Sequence, residues 1–335
     1  MRVAWFRQTP PTSDTPLDET ALAILEIGQT HEVEIVTPDM LHDFVWRHFR
    51  APHDVCVYEL GTPHEGRFLP YSMSYPGVML VSGATFESRD APSCRRACAA
   101  ARVLVARDEA VARRIADQCP GVPVRHVPLG VGLAPHAPAE FGKSARMVRV
   151  GIVGPRDTAE GAIQRAREAG ARLELVSETG AEAIARAEIL IVLSWPGGES
   201  VTSVLAGMAA RRAVIVFEME TTAGWPALDP QTWQLRGALA VGPPIVVSID
   251  PFDREHSIVA TLRRLAADAM FRESLASAAH DWWRGHATLA HAVAGWHDVL
   301  QQAAALPPRP TPAVDGTASA RAILGEFGVA VDFLS

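Results

Sequence analysis

The sequence predicts an α/β protein made of two open parallel sheets that face each other across a cleft. Three observations carry that prediction. Short apolar runs alternate with helix-like segments, as in strand–helix–strand crossovers. The alternation runs twice, with a Pro/Ala-rich break at 132–143 (GLAPHAPAEFGK) between the two series. The 335 residues are too many for one compact core and enough for two domains of ordinary size.

In the first series, Arg2–Phe6 is short and mostly apolar, as a buried strand is. A Pro/Thr/Asp-rich loop, Gln8–Asp18, follows it. Glu19–Ile27 has helical spacing and stops at Gly28, a residue suited to a helix end. Further strands are predicted at Glu32–Thr37, Asp54–Tyr58, Gly77–Val81, Ala101–Val105 and Pro123–Pro128. Helices fit at Asp39–Arg47, Ser93–Ala100 and Glu109–Gln118. In the second series, strands are predicted at Val148–Val153, Arg172–Ser177, Ile189–Ser194, Ala213–Glu218 and Pro244–Ile249. Helices fit at Ala159–Glu168, Ala181–Ala187 and Ser200–Ala210, and three more close the chain: Arg254–Ala267, Met270–Trp283 and Leu289–Ala304. This divides the chain into a first domain at 1–133, a linker at 134–146, a second domain at 147–304 and a tail at 305–335. The tail is left free to pack back on the first domain.

Composition excludes several function classes. Hydrophobic residues make up 48% and charged residues 21%, so the chain is globular. A net charge of −7 with no dense Lys/Arg block gives no field for a nucleic-acid backbone. Lys143 is the only lysine, an Arg bias that points to a GC-rich bacterial genome. The longest apolar runs, such as Ile189–Leu193, are strand-sized and far short of a bilayer span. The N-terminus enters a strand at once and lacks the apolar stretch of an export signal, so a cytoplasmic location is expected. Peripheral membrane contact is left open. Of the four cysteines only Cys94 and Cys98 are close, and no second ligand pair accompanies them, so reduced incidental thiols are expected.

Several segments, taken in order, resemble one family. They are the opening Arg2–Pro11, His31–Thr37, Val57–Gly61 with Tyr75–Leu80, Val124–Val131 and Val150–Gly154. The fullest match is Ala187–Leu205 (AEILIVLSWPGGESVTSVL) with Ala209–Val216 after it. Together they are similar to the family-four glycosyltransferases, enzymes of the GT-B class that use nucleotide sugars. The resemblance spans about residues 1–304 and implies GT-B architecture, two Rossmann-like domains with the donor on the second and the acceptor on the first. It implies transfer of a sugar from a nucleotide diphosphate to a glycan, lipid-linked or small-molecule acceptor, with retention. The nucleotide-diphosphate sugar is then a co-substrate. No cofactor is implied, and no metal, since no Asp-x-Asp follows a strand with further ligands beside it.

The resemblance also assigns residues. Glu199 matches the first Glu of the family's E-x(7)-E motif and becomes the catalytic candidate. Gly198, Glu199, Ser200, Thr202 and Ser203 precede and open a helix whose free N–H groups and dipole suit phosphate oxygens. Gly154 and Arg156 occupy the other donor loop, where a guanidinium fork fits a diphosphate. The acceptor-side candidates are Asp14, Asp18, His64 and Ser82. Ordinary roles compete at each position: Ser200 as a helix cap, Glu199 as its dipole partner, Arg156 as a solvated turn residue.

Departures from the family pattern define the alternatives. The diphosphate Lys is replaced by Ala159 or Glu160, and the second Glu by Ala206 or Gly207. Ser82-Gly83 stands where the family often has His-Asp. A degenerate, non-catalytic partner subunit is therefore the first alternative, and Trp282, Trp283 and Trp296 would support it if exposed. Another GT-B enzyme, such as a nucleotide-sugar epimerase, is the second. A dehydrogenase is disfavoured, because no G-x-G-x-x-G follows the first strand.

Overall fold

The computed structural model describes residues 1–10, 19–60, 67–82, 91–132, 147–193, 200–218, 222, 224–236 and 242–309. Its first half runs β1 (Arg2–Phe6), α1 (Glu19–Ile27), β2 (Glu32–Val36), α2 (Leu41–Arg50), β3 (Val55–Leu60) and α3 (Leu69–Ser74). It continues with β4 (Val78–Val81), α4 (Ala91–Ala100), β5 (Val103–Ala106), α5 (Glu109–Gln118) and β6 (Val124–His126). The second half runs β7 (Val148–Val153), α6 (Asp157–Glu168), β8 (Leu173–Leu175), α7 (Gly180–Arg186), β9 (Ile189–Val192) and α8 (Ser200–Ala209). It ends with β10 (Ala213–Phe217), β11 (Ala227–Leu228), β12 (Val246–Ile249), α9 (Arg254–Ala267), α10 (Ala269–His286) and α11 (Leu289–Ala305).

Both sheets have six strands, ordered β2-β1-β3-β4-β5-β6 and β11-β12-β10-β9-β7-β8. Every described pair within them is parallel, as the crossover pattern requires. Each sheet is covered on both faces. On β1, Ala4 and Phe6 join the core beneath α2, α4 and α5, while Val3 and Trp5 join the opposite core. That period of two is the strand's own, and it lets one short segment seal two layers. The second sheet repeats the plan, with α6 and α9 on one face and α7, α8 and α10 on the other.

Three elements differ from expectation. The helix of the β3–β4 crossover, α3, is six residues of LPYSMS, too short and polar to show a period. The edge strand β11 has two residues. The larger difference is α11, which sequence order places in the second domain. Its Trp296, Val299 and Leu300 instead pack with Val3, Trp5 and Val57 on the first sheet. The chain returns to the first half at Ala287–Leu289, where Thr288 forms a parallel bridge with Val131, and not at residue 305. The expected tail begins on the same side, with Arg309 donating to the carbonyl of Gly121. The expected linker, 134–146, and residues 310–335 lie outside the described residues. Among the described residues no helix is long and apolar enough to cross a membrane.

Candidate functional site

In a doubly wound sheet the crevice opens where neighbouring strands send their crossovers to opposite faces, outside the carboxyl ends. Here that point lies between β1 and β3 in the first sheet, and between β7 and β9 in the second. The structure has a cavity at the first point. It measures about 410 Å³ and is bounded by Arg7 after β1, Glu59 and Leu60 of β3, Ser82 after β4 and Arg107 after β5. Arg7 is buried, and its Nε lies 3.8 Å from Oε1 of Glu59. The same oxygen accepts a 2.7 Å hydrogen bond from the indole N–H of Trp5. Arg107 donates to Oγ1 of Thr20 at 2.7 Å, and its guanidinium lies 5.4 Å from the ring centre of Trp296.

A second cavity, about 600 Å³, is shared by the two halves. The first half contributes Arg107, Arg113 and His126, and the second contributes Leu205 of α8, Trp225 and Trp282. The rings of Trp225 and Trp282 sit 5.0 Å apart, and His286 stacks on Trp282 at 5.0 Å with 16° between planes. Arg107, Asp108 and Leu129 bound both cavities, so the two lie side by side. The first cavity is charged at the ends of the first sheet, and the second is aromatic where the halves meet.

Of the donor candidates, Gly154 follows β7 and Ser200 opens the helix after β9, the two strands that flank the second sheet's switch point. Gly154 follows β7 with φ +109°, and a Cβ there would overlap the carbonyl oxygen of Leu193 after β9. Only glycine lets these two strand ends approach so closely. Arg156 opens α6, and its guanidinium is engaged with protein: Ser177 O at 2.6 Å, Val176 O at 3.2 Å and Glu160 Oε1 at 3.0 Å. It ties the loop after β8 to the helix. Thr202 is half-buried and Ser203 is buried in α8, while α8 opens at Ser200. Gly198 and Glu199 lie outside the described residues, as do Asp14, Asp18 and His64. Ser82 lines the first cavity.

The substituted positions have clear local roles. Ala159 is fully buried under α9, and Glu160 pairs with Arg156. Ala206 is buried, and a Cβ on Gly207 would come within 2.7 Å of Leu190 Cδ2. This turn of α8 lies flat on the sheet, so neither position faces the cleft. The four cysteines are buried and unbridged, and burial pushes the Cys56 thiol up to about 12, which removes it as a nucleophile. Among the described residues no group of three His, Cys, Asp or Glu side chains is placed to hold a metal ion.

Sequence reading did not single out Arg7, Glu59, Arg107 or Trp225. For Glu59 a signal existed: it is the one charged residue in the otherwise apolar strand VCVYEL, one position from its carboxyl end. Trp225 lies in a loop, and nothing local announces it.

No family model and no curated protein sequence matches the chain. Solved structures do. A sucrose-phosphate synthase from Thermosynechococcus elongatus superposes with TM-score 0.61 at 11% identity, over 90% of this chain and 98% of that one. The Anabaena protein HepE, solved with UDP and glucose, gives 0.62 at 9% identity, over 90% and 99%. A UDP-forming trehalose-phosphate synthase from Burkholderia vietnamiensis gives 0.59 at 11%, over 91% and 97%. The fold is thus GT-B: two Rossmann-like halves with parallel sheets, along nearly the whole length of these proteins.

Proposed function

We propose that the chain is a glycosyltransferase that moves a sugar from a nucleotide-diphosphate donor to a hydroxyl-bearing acceptor. The observation behind this reading is the pair of adjoining cavities that runs from the carboxyl ends of the first sheet to α8 and α10 of the second half. A two-substrate transfer needs its reactants held on opposite walls with water excluded between them. Gly154 and the opening of α8 form the donor side, where helix N–H groups stabilise the charge that develops on a leaving diphosphate. Arg107 and Arg113 add positive charge from the facing half. Glu199 is assigned to the sugar hydroxyls, and retention follows the family pattern. Arg156 contributes by fixing the 176–177 loop against α6.

A second reading has its own observation. Of the positions that would carry the family's Lys and second Glu, Ala159, Ala206 and Gly207 are packed into the fold and Glu160 is paired with Arg156, so donor contacts are fewer, as in a non-catalytic partner subunit. A third reading, epimerisation, has the support of a putative UDP-N-acetylglucosamine 2-epimerase from Listeria monocytogenes that superposes with TM-score 0.54 over 88% of this chain, at 8% identity.

Calorimetric titration with UDP, GDP, TDP and ADP, each with and without its sugar, separates the first two. One nucleotide is expected to bind. Arg156→Ala, which releases the 176–177 loop from α6, is expected to weaken it several-fold. Glu199→Ala is expected to spare the nucleotide and weaken the nucleotide sugar. Absence of binding at millimolar nucleotide would remove the transferase reading and leave the partner subunit.

A further inference from the structure

Two carboxylates line the first-sheet cavity among the described residues, Glu59 and Asp108. Asp108 is committed elsewhere. Its Oδ1 caps α5, accepting the N–H groups of Ala110 at 2.7 Å and Val111 at 3.0 Å. Glu59 caps nothing. It stands at the carboxyl end of β3, beside the first sheet's switch point, with its side chain 22% exposed. Its Oε1 is held by the Trp5 indole at 2.7 Å. Trp5 is itself fully buried and fixed by Trp296 of α11, ring centres 4.7 Å apart. A buried indole thus aims one carboxylate at a cavity whose other polar groups include Arg7, Thr20, Ser82 and Arg107.

That combination selects a ligand class. The carboxylate repels a phosphate or carboxylate at contact, and the two guanidiniums repel an amine. A neutral hydroxyl fits both, donating to Glu59 and accepting from an arginine. We propose that Glu59 holds the acceptor by accepting hydrogen bonds from the hydroxyls of a neutral sugar or polyol in the cavity at the end of β3, with Trp5 as its positioning residue. This rests on the transferase reading for the word acceptor, while the binding site itself stands apart from that reading. By fixing which hydroxyls are held, Glu59 sets which hydroxyl faces the donor, and analogues lacking the held hydroxyl are rejected.

Trp5 supplies its own reporter. The indole N–H resonance in ¹⁵N–¹H spectra, assigned by its loss in Trp5→Phe, is followed with D-glucose, D-galactose, D-mannose, N-acetylglucosamine and glycerol, with UDP present. At least one probe is expected to move the Trp5 resonance saturably. Affinity for that probe, read by saturation-transfer NMR, is expected to fall roughly tenfold in Glu59→Gln and less in Glu59→Asp. Trp5→Phe keeps the ring against Trp296 and is expected to weaken the probe several-fold while UDP affinity is unchanged. A purely structural role for Trp5 would move both affinities together. If UDP binds and no probe moves the Trp5 resonance, or if Glu59→Gln binds the probe as the wild type does, the proposal is overturned. If a probe binds through Glu59 but no nucleotide binds, the hydroxyl site stands and the transferase reading falls.

Discussion

Glu188 shows how tightly single residues are bound into this fold. It is buried between the start of β9 and the start of β7, and its Oε2 accepts the backbone N–H of Arg149 at 3.1 Å. Arg272 Nη2 lies 3.8 Å from its other oxygen and Arg149 Nε 3.9 Å from Oε2. Arg212, also buried, donates to Ile184 O and Ala185 O, and its burial pushes the guanidinium down to about 10. One buried carboxylate therefore offsets part of the positive charge of the Arg149, Arg212 and Arg272 cluster. Glu188→Ala is expected to lower the unfolding free energy by about 3–5 kcal/mol, the cost of stranding buried charge, as measured by urea denaturation. Two imidazole pairs set a pH dependence. Burial, then the neighbouring His297, holds His31 below its ordinary value, and burial, then His53, does the same to His48. The folded state therefore binds these protons less readily than the unfolded chain. The contribution is complete above the unfolded value of about 6.5 and is lost as the pH falls below it. Melting temperature should fall between about pH 7 and 5 less steeply in a His31→Gln/His48→Gln double variant than in the wild type.

At the scale of elements, α8 decides what the missing motif means. The packing of Gly207 on Leu190 gives the expected result of restoring the family's glutamate. Gly207→Glu should gain no nucleotide affinity and should cost at least about 2 kcal/mol through overpacking and a buried carboxylate. A rise in affinity by calorimetry would show that α8 can turn this face to the ligand. Much of the fold was legible element by element. Runs such as VRVGIV, ILIV and AVIVF are strands because they are buried on both faces, which leaves a continuous apolar signature. The apolar stripe of α11 was legible as well, but periodicity records that a face is buried and not what buries it. The site was less legible than the fold. Gly154 was named from the likeness of its loop to the family's donor loop, whereas Glu59 acquires its setting from Trp5, Arg7 and Trp296, which are not its neighbours in sequence.

For the whole molecule, α11 makes the first half dependent on the end of the chain. Without it, Val3, Trp5, Val57 and Val105 lose the helix that covers them. Residues 1–132 expressed alone are expected to aggregate or bind hydrophobic dyes. Co-expression with 287–309 is expected to restore a cooperative thermal transition. Folding of 1–132 alone with an unchanged transition would show that the helix is dispensable.

The Val131–Thr288 bridge has a mechanical consequence. Val131 donates to Ala287 O at 3.1 Å and accepts from Leu289 N–H at 3.2 Å, so the outgoing and returning strands of chain are stitched side by side. Two tethers fastened at one seam leave the halves a swing about an axis and suppress a slide. Displacement in a swing grows with distance from the axis. A swing about this seam would leave the inner end of the shared cavity, at Leu129 and Ala287, at nearly constant width and would open or shut its rim. Size selection would then fall to the inner end and access to the rim, two tasks divided by the leverage of a single stitched joint.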